Sequence, residues 1–193
     1  MTPDSVLDLF RKRGALLEGH FVLSSGLHST GYLQCALILQ HPADAGALGQ
    51  ALGEKVKAAG HQVDVVLSPA MGGLIIGHEV GRALGVRAIF AERVDGTLTL
   101  RRGFRIEPGE RVLVVEDVVT TGKSTVETVA VAEQAGATVV AAASIINRGG
   151  GDALSMPYVS LADARFPTYP PDALPEHLRD VPATKPGSRP GQR

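Results

Sequence analysis

Apolar and polar positions fall in blocks along this chain, and the blocks predict strand, loop and helix in repeating order. Thr2-Pro3 pairs an N-cap with proline at the first helical position, so a helix should run through Val6, Leu7 and Phe10 and stop near Gly14. Residues 21–23 and 32–39 read as short extended segments around a Ser24-Ser25-Gly26 turn. A helix is expected over residues 43–59, ended by Gly60, followed by a buried strand over 63–67. Further along, 74–84 and 124–135 predict helices, and 88–91, 112–115 and 138–146 predict strands. This alternation predicts an α/β fold, a mainly parallel sheet with helices on both faces and right-handed crossovers.

Composition narrows the picture. At 193 residues the chain is expected to be a single domain, and its 44% hydrophobic content with 23 glycines suits an α/β protein with many tight turns. A net charge of −1 leaves no electrostatic footprint for nucleic acid. Cys35 stands alone and cannot form an internal disulfide, and no apolar stretch is flanked like a signal peptide or long enough to span a bilayer. These features predict a cytoplasmic protein with no nucleic-acid or membrane partner. Seven of the twelve prolines fall in residues 166–193, which therefore cannot be regular helix or central strand throughout and read, on composition alone, as a disordered tail.

The chemistry is concentrated in RVLVVEDVVTTGKST, residues 111–125. Val112, Leu113, Val114 and Val115 read as a strand buried on both faces, with Glu116 and Asp117 at its end, where open α/β sheets place their ligands. Thr120, Thr121, Lys123, Ser124 and Thr125 then offer donors around Gly122, and a helix opening there favours an anion at its N-terminus. Carboxylates accept from sugar hydroxyls and the turn suits a phosphate, so the pattern predicts a polyhydroxyl phosphate, with room for a divalent cation near the acids. Gly122-Lys123-Ser124 also matches the second half of a nucleotide P-loop, but that motif needs a glycine where Asp117 stands.

These fifteen residues resemble the 5-phosphoribosyl-1-pyrophosphate (PRPP) signature of the type I phosphoribosyltransferases. The resemblance implies that Glu116 and Asp117 hold the ribose hydroxyls, and that Val118, Val119, Thr120, Thr121, Gly122, Lys123 and Ser124 form the 5′-phosphate loop. It also implies Mg²⁺ as cofactor, held mainly by PRPP. The six histidines are scattered without ligand spacing, so no metal site built from protein side chains alone is assigned. The implied architecture is the type I phosphoribosyltransferase fold, with a core over about 43–165 and a small hood from about 1–42 and 166–193.

Ser68-Pro69-Ala70-Met71-Gly72-Gly73 follows a predicted strand and precedes a predicted helix, a turn whose N–H groups can approach an anion and which as often holds glycine for packing alone. In the family such a loop contacts pyrophosphate, a role the resemblance carries to Met71, Gly72 and Gly73. Between Phe90 and Phe104 lies AERVDGTLTLRRG, too long for a tight hairpin unless its middle is a mobile pair of strands. Arg93, Arg101 and Arg102 there fit a solvated face or a lid.

Base preference is suggested by two further segments. FVLSSGLHSTGYLQ, residues 21–34, resembles the N-terminal stretch of orotate phosphoribosyltransferases that lies near base and sugar and includes Ser25. Arg148 matches the arginine those enzymes set against the orotate carboxylate, and a planar guanidinium suits a carboxylate. The 91–104 stretch and KPGSR, residues 185–189, resemble a bacterial branch of that group.

The resemblance therefore implies transfer of the phosphoribosyl group from PRPP to orotate, in de novo pyrimidine (UMP) biosynthesis. Thr120, Arg148 and Ser25 would meet orotate; Asp117, Glu116 and Arg93 would carry catalysis. It further implies a homodimer whose lid loop reaches across the interface. The familiar lid carries lysines and a histidine, whereas this one has neither, so Arg93 would act as a fixed charge. The familiar form also has a lysine where Ser24 stands. The alternatives are a purine or xanthine phosphoribosyltransferase with the same PRPP site, and a non-enzymatic PRPP-sensing regulator, which should carry a DNA-binding domain or a basic face.

Overall fold

Thr2 opens helix α1 (Pro3–Lys12), its hydroxyl accepting from the Ser5 N–H at 3.3 Å. The computed structural model describes residues 1–23 and 25–185, so Ser24 and residues 186–189 of the KPGSR stretch lie outside the described residues. In chain order there follow β1 (Leu16–Val22), β2 (His28–Leu33), α2 (Ala36–Leu39), α3 (Pro42–Ala58), β3 (Val65–Pro69), α4 (Gly73–Leu84), β4 (Arg87–Val94) and β5 (Thr97–Leu100). The chain continues through β6 (Arg111–Val119), α5 (Lys123–Gln134), β7 (Thr138–Asn147), β8 (Tyr158–Asp163), β9 (Thr168–Tyr169) and α6 (Glu176–Arg179).

A six-stranded sheet has the order β5-β4-β3-β6-β7-β8. Its pairs are parallel except β4 with β5. Period-two alternation sorts its central side chains onto two faces. Val66, Leu113 and Val115 pack with Ile76 and Val80 of α4 and with Leu48, Leu52 and Val56 of α3. Val65, Leu67, Val112 and Val114 pack on the other face with Val129 and Ala132 of α5 and with Leu98 and Ile106. Successive strands β3 and β4 lie side by side, and the chain then returns to set β6 against the other edge of β3. This reversal is a topological switch point, where the loops after β3 and β6 leave toward opposite faces and open a crevice at the strands' carboxyl ends.

A second, three-stranded antiparallel sheet, β1-β2-β9, joins the N-terminal segment to the proline-rich one. The reading of residues 166–193 as a disordered tail is corrected for the described part. Phe166 packs on Gly31, β9 pairs with β2, and Thr184 bridges Phe21. Composition alone missed this because the ordering contacts come from residues more than a hundred positions away.

Three local expectations also change. Residues 32–39 are not one extended segment: β2 ends at Leu33 and Ala36–Leu39 is a helical turn. The segment between Phe90 and Phe104 holds a tight hairpin, with Val94 paired to Thr97 across Asp95-Gly96, both at positive φ (48° and 84°). Asp-Gly is a favoured sequence for that turn, whose twist matches the flanking strands. Finally, β6 runs on to Val119, so Glu116 and Asp117 are inside the strand, with Glu116 opposite Ser144 of β7.

Candidate active site

Alternate residues of a strand face opposite ways, so the adjacent acids of β6 have different neighbours. Glu116 turns toward α5: Ser124 Oγ donates to its Oε2 at 3.2 Å, and Thr125 Oγ1 donates to its Oε1. Asp117 turns toward the start of α4, where a Cβ on Gly72 would lie 2.7 Å from Asp117 Oδ1. Glycine at 72 lets the β3–α4 loop come this close without displacing the Asp117 carboxylate. Asp117 also accepts from its neighbour Val118 N–H at 2.9 Å and lies against the buried Cys35 thiol.

Burial raises the pKa of Glu116 despite its two hydroxyl donors, and the negative charges of Asp117 and Glu127 add to the rise. Asp117 is raised as well, by burial that outweighs the Val118 N–H and the Cys35 thiol. The Cys35 thiol is pushed well up, first by burial and then by the Asp117 charge. Two desolvated acids at the mouth of a crevice, held by donors that leave part of each carboxylate open, are suited to hydroxyl groups of a ligand.

Two adjoining clefts open over these acids. One, of about 180 Å³, is lined by Arg93, Glu116, Val118, Val119, Thr120, Thr121, Gly122, Lys123 and Ser124. The other, of about 150 Å³, is lined by Pro69, Ala70, Gly72, Gly73, Arg93, Leu98, Glu116, Asp117 and Ser124. Arg93, Glu116 and Ser124 line both and form their common wall. In the first, Gly122 takes φ 77° and α5 starts immediately after it, so the first-turn N–H groups of α5 face the turn. The second is floored by the loop after β3, tied to β4 by the Ala70 N–H bonded to Ala91 O at 2.8 Å.

Arg93 leaves β4 into this common wall, donating to Gly96 O at 2.7 Å and to Glu127 of α5. Lys123 Nζ is 3.9 Å from the same Glu127. One carboxylate on α5 thus restrains both cations at the phosphate-suited cleft. Arg102 is engaged elsewhere, with both ends of its guanidinium 2.8 Å from Glu92.

Arg148 follows β7, and its backbone N–H donates to Val119 O at 2.8 Å, next to the turn. Its guanidinium lies over the Phe166 ring, 5.4 Å from the centroid, and burial lowers its pKa. Its Nε is buried with no hydrogen-bond partner in the structure. A buried guanidinium donor without an acceptor is costly unless a ligand supplies one.

The structure thus gathers Glu116, Asp117, Arg93, Gly72, Gly73 and residues 118–124 around two clefts. Met71 is 80% exposed and lines neither, its peptide with Ala70 being cis. Ser25 lies in the exposed β1–β2 turn, where its Oγ accepts from Leu27 N–H at 3.4 Å. Arg148 lines neither cleft and stands beside Phe166. Thr125 as a partner of Glu116, and Cys35, Glu127 and Phe166, are additions to the expected set. Only Glu127 carried a local signal, four residues beyond Lys123 on one helix. Among the described residues, no group of three or more His, Cys, Asp or Glu is clustered to hold a metal ion.

The sequence profile of the phosphoribosyl transferase domain matches residues 36–163. The chain is 55% identical over 191 residues to the orotate phosphoribosyltransferase of Erythrobacter litoralis, which covers 98% of this chain and 99% of that protein. It is 49% identical over 190 residues to that of Pelotomaculum thermopropionicum, again covering 98% and 99%. The crystal structure of orotate phosphoribosyltransferase from Aeropyrum pernix matches with a TM-score of 0.67 at 28% identity, covering 82% of this chain and 93% of that one. Adenine phosphoribosyltransferase from Thermoanaerobacter pseudethanolicus matches with a TM-score of 0.60 at 16% identity, covering 69% and 88%, so the fold by itself leaves the base open.

Proposed function

The chain belongs to the phosphoribosyl transferase family, and from that premise we propose how it transfers the 5-phosphoribosyl group of PRPP to orotate, giving orotidine 5′-monophosphate and pyrophosphate. It is a glycosyltransferase of pyrimidine biosynthesis, like its orotate-specific relatives.

The two clefts with a common wall suit a sugar carrying phosphate at each end. In this reading the 5′-phosphate occupies the turn formed by Thr120, Thr121, Gly122, Lys123 and Ser124, and the pyrophosphate lies over Gly72 and Gly73. The ribose spans the wall, its hydroxyls on Glu116 and Asp117. Departure of pyrophosphate from C1 builds positive charge on the sugar and negative charge on the leaving group. The two acids orient the sugar and face the first charge; Arg93, permanently cationic, faces the second. Orotate is already ionised where it attacks, so no residue is assigned as a general base.

The acid-lined second cleft fits a Mg²⁺ ion arriving with PRPP, which would supply charge neutralisation at the pyrophosphate, although the described residues offer it no closed set of ligands.

The observation that carries the base assignment is Arg148, whose buried Nε has no partner and whose guanidinium lies 5.4 Å from the centroid of the Phe166 ring. A carboxylate satisfies it; a purine offers none. Ser25 and Thr120 are proposed to bound the base on its other sides. The chain is read as one domain in which the β1-β2-β9 sheet forms the hood. We further read the protein as a cytoplasmic homodimer whose β4–β5 hairpin covers the partner's site; no helix among the described residues is long and apolar enough to cross a membrane.

The test is a panel of bases at fixed PRPP and Mg²⁺: orotate, adenine, hypoxanthine and xanthine. Turnover of orotate alone is expected. Turnover of a purine in its place would overturn the base assignment while leaving the PRPP site standing.

A further inference from the structure

Asn147 ends β7 with its side chain buried, 4% exposed, and every polar atom of its amide is used. Its Oδ1 accepts from Gly149 N–H at 2.8 Å and from Gly151 N–H at 3.1 Å, and its Nδ2 donates to Asp152 Oδ1 at 3.2 Å. Two backbone donors converging on one atom identify that atom as the oxygen. One amide therefore curls residues 149–152 into a closed loop.

That loop is the back wall of the phosphate turn. A Cβ on Gly150 would lie 2.7 Å from Gly122 N and 2.7 Å from Thr120 O, so the two backbones are in direct contact. The residue between Asn147 and the loop is Arg148. Asp152, at the loop's far end, also bonds Arg165 at 2.7 Å, the neighbour of the Phe166 that stacks on Arg148.

We propose that Asn147 is a positioning residue that locks the phosphate turn and the base-reading arginine into one rigid unit, so that 5′-phosphate and base are held at a set separation. It touches neither substrate. The proposal rests on the reading of residues 120–124 and Arg148 given above. Precise spacing between the two ends of the substrates matters because the attacking nitrogen and C1 must meet in line.

The amide's polarity supplies the test. Asn147→Asp keeps an acceptor for the two glycine N–H groups but loses the donor to Asp152 and sets two carboxylates against each other. Asn147→Asp/Asp152→Asn reverses the direction of that bond and restores it. Asp152→Asn alone keeps an acceptor for Asn147 and gives up only the charge of the solvent-exposed pair with Arg165, which is worth little.

Steady-state kinetics should show the KM for orotate and for PRPP rising together in Asn147→Asp, each about tenfold, with recovery to within about threefold in the double variant. Asp152→Asn should stay within about twofold of the parent for both. A merely structural role would lower Tm and leave both KM values alone, and that result would overturn the proposal. So would a rise in one KM without the other, or a double variant that recovers neither. If Asn147→Asp does not fold, the double variant decides: folded with near-parental KM values supports the lock, and unfolded or inactive overturns it. Parental turnover of orotate is measured first. Its absence would count against the functional reading, and the lock would then be read from the thermal shift that PRPP induces in the same variants, with the same order expected.

Discussion

The guanidinium of Arg148 lies over the ring of Phe166, 5.4 Å from its centroid, and joins the end of β7 to the segment that leads into β9. In the proposed reading this contact restrains the guanidinium that meets the orotate carboxylate. Arg148→Ala should raise the orotate KM far more than the PRPP KM, by about 2–5 kcal/mol in transition-state terms. Phe166→Leu retains apolar bulk and loses the ring face, and should raise the same KM by a smaller amount, about 0.5–2 kcal/mol. Equal effects on both substrates would show that Arg148 does not read the base.

Asp117 is expected to oppose stability and serve function. Its pKa is higher in the folded chain than in the unfolded one, because burial penalises its charge. The stability linked to this group is full below the ordinary carboxylate pKa and is lost as pH rises through the raised folded value. Asp117→Asn should therefore raise the neutral-pH Tm of the ligand-free protein, by a stabilisation of about 0.5–2 kcal/mol, while removing most turnover and weakening PRPP binding. Thermal melts from pH 4 to 8 check the sign: the advantage of the variant over the parent should grow toward higher pH.

Thr125 gives the buried Glu116 one of its two hydroxyl donors. Thr125→Val keeps the shape and leaves that oxygen without this donor, at a cost of about 1–3 kcal/mol. Loss of the donor raises the Glu116 pKa further. The PRPP KM should increase, and its pH profile should move to higher pH. An unchanged profile would mean that the ionised form of Glu116 is not the one that binds.

Arg93 and Glu127 are expected to act as a pair. Arg93→Ala should lower kcat at saturating PRPP, Glu127→Gln should lower it less, and the double variant should be no worse than Arg93→Ala alone. A double-mutant cycle would give a coupling of about 0.5–3 kcal/mol. Additive losses would assign the two residues separate roles.

The legible parts of this molecule are those in which partners are close in sequence. The strand, acids, turn and helix of residues 111–125 form one continuous unit, so an apolar run followed by Glu116-Asp117 and Thr120-Thr121-Gly122 announces both the strand and the turn here proposed to hold a phosphate. Helices α3, α4 and α5 lie within two residues of the limits that periodicity and, for α3, Gly60 predict. The Asp95-Gly96 pair is a local hairpin signal, masked by the length of the segment between Phe90 and Phe104. Partners set by the fold itself were not readable: Phe166 reaches Arg148 only once β9 pairs with β2, and Cys35 meets Asp117 only when α2 packs under the sheet. The opposite orientations of Glu116 and Asp117 follow from a β6 that continues two residues past them, which the polar character of the site conceals.

The central claim is tested most directly by the initial rate of orotate consumption, followed by its ultraviolet absorbance, with PRPP and Mg²⁺ and with Asp117→Asn as control. The account predicts a fall in absorbance that depends on PRPP and is nearly absent in the variant. A fall that the variant reproduces at the parental rate, or no fall from a protein that binds PRPP in calorimetry, would contradict it.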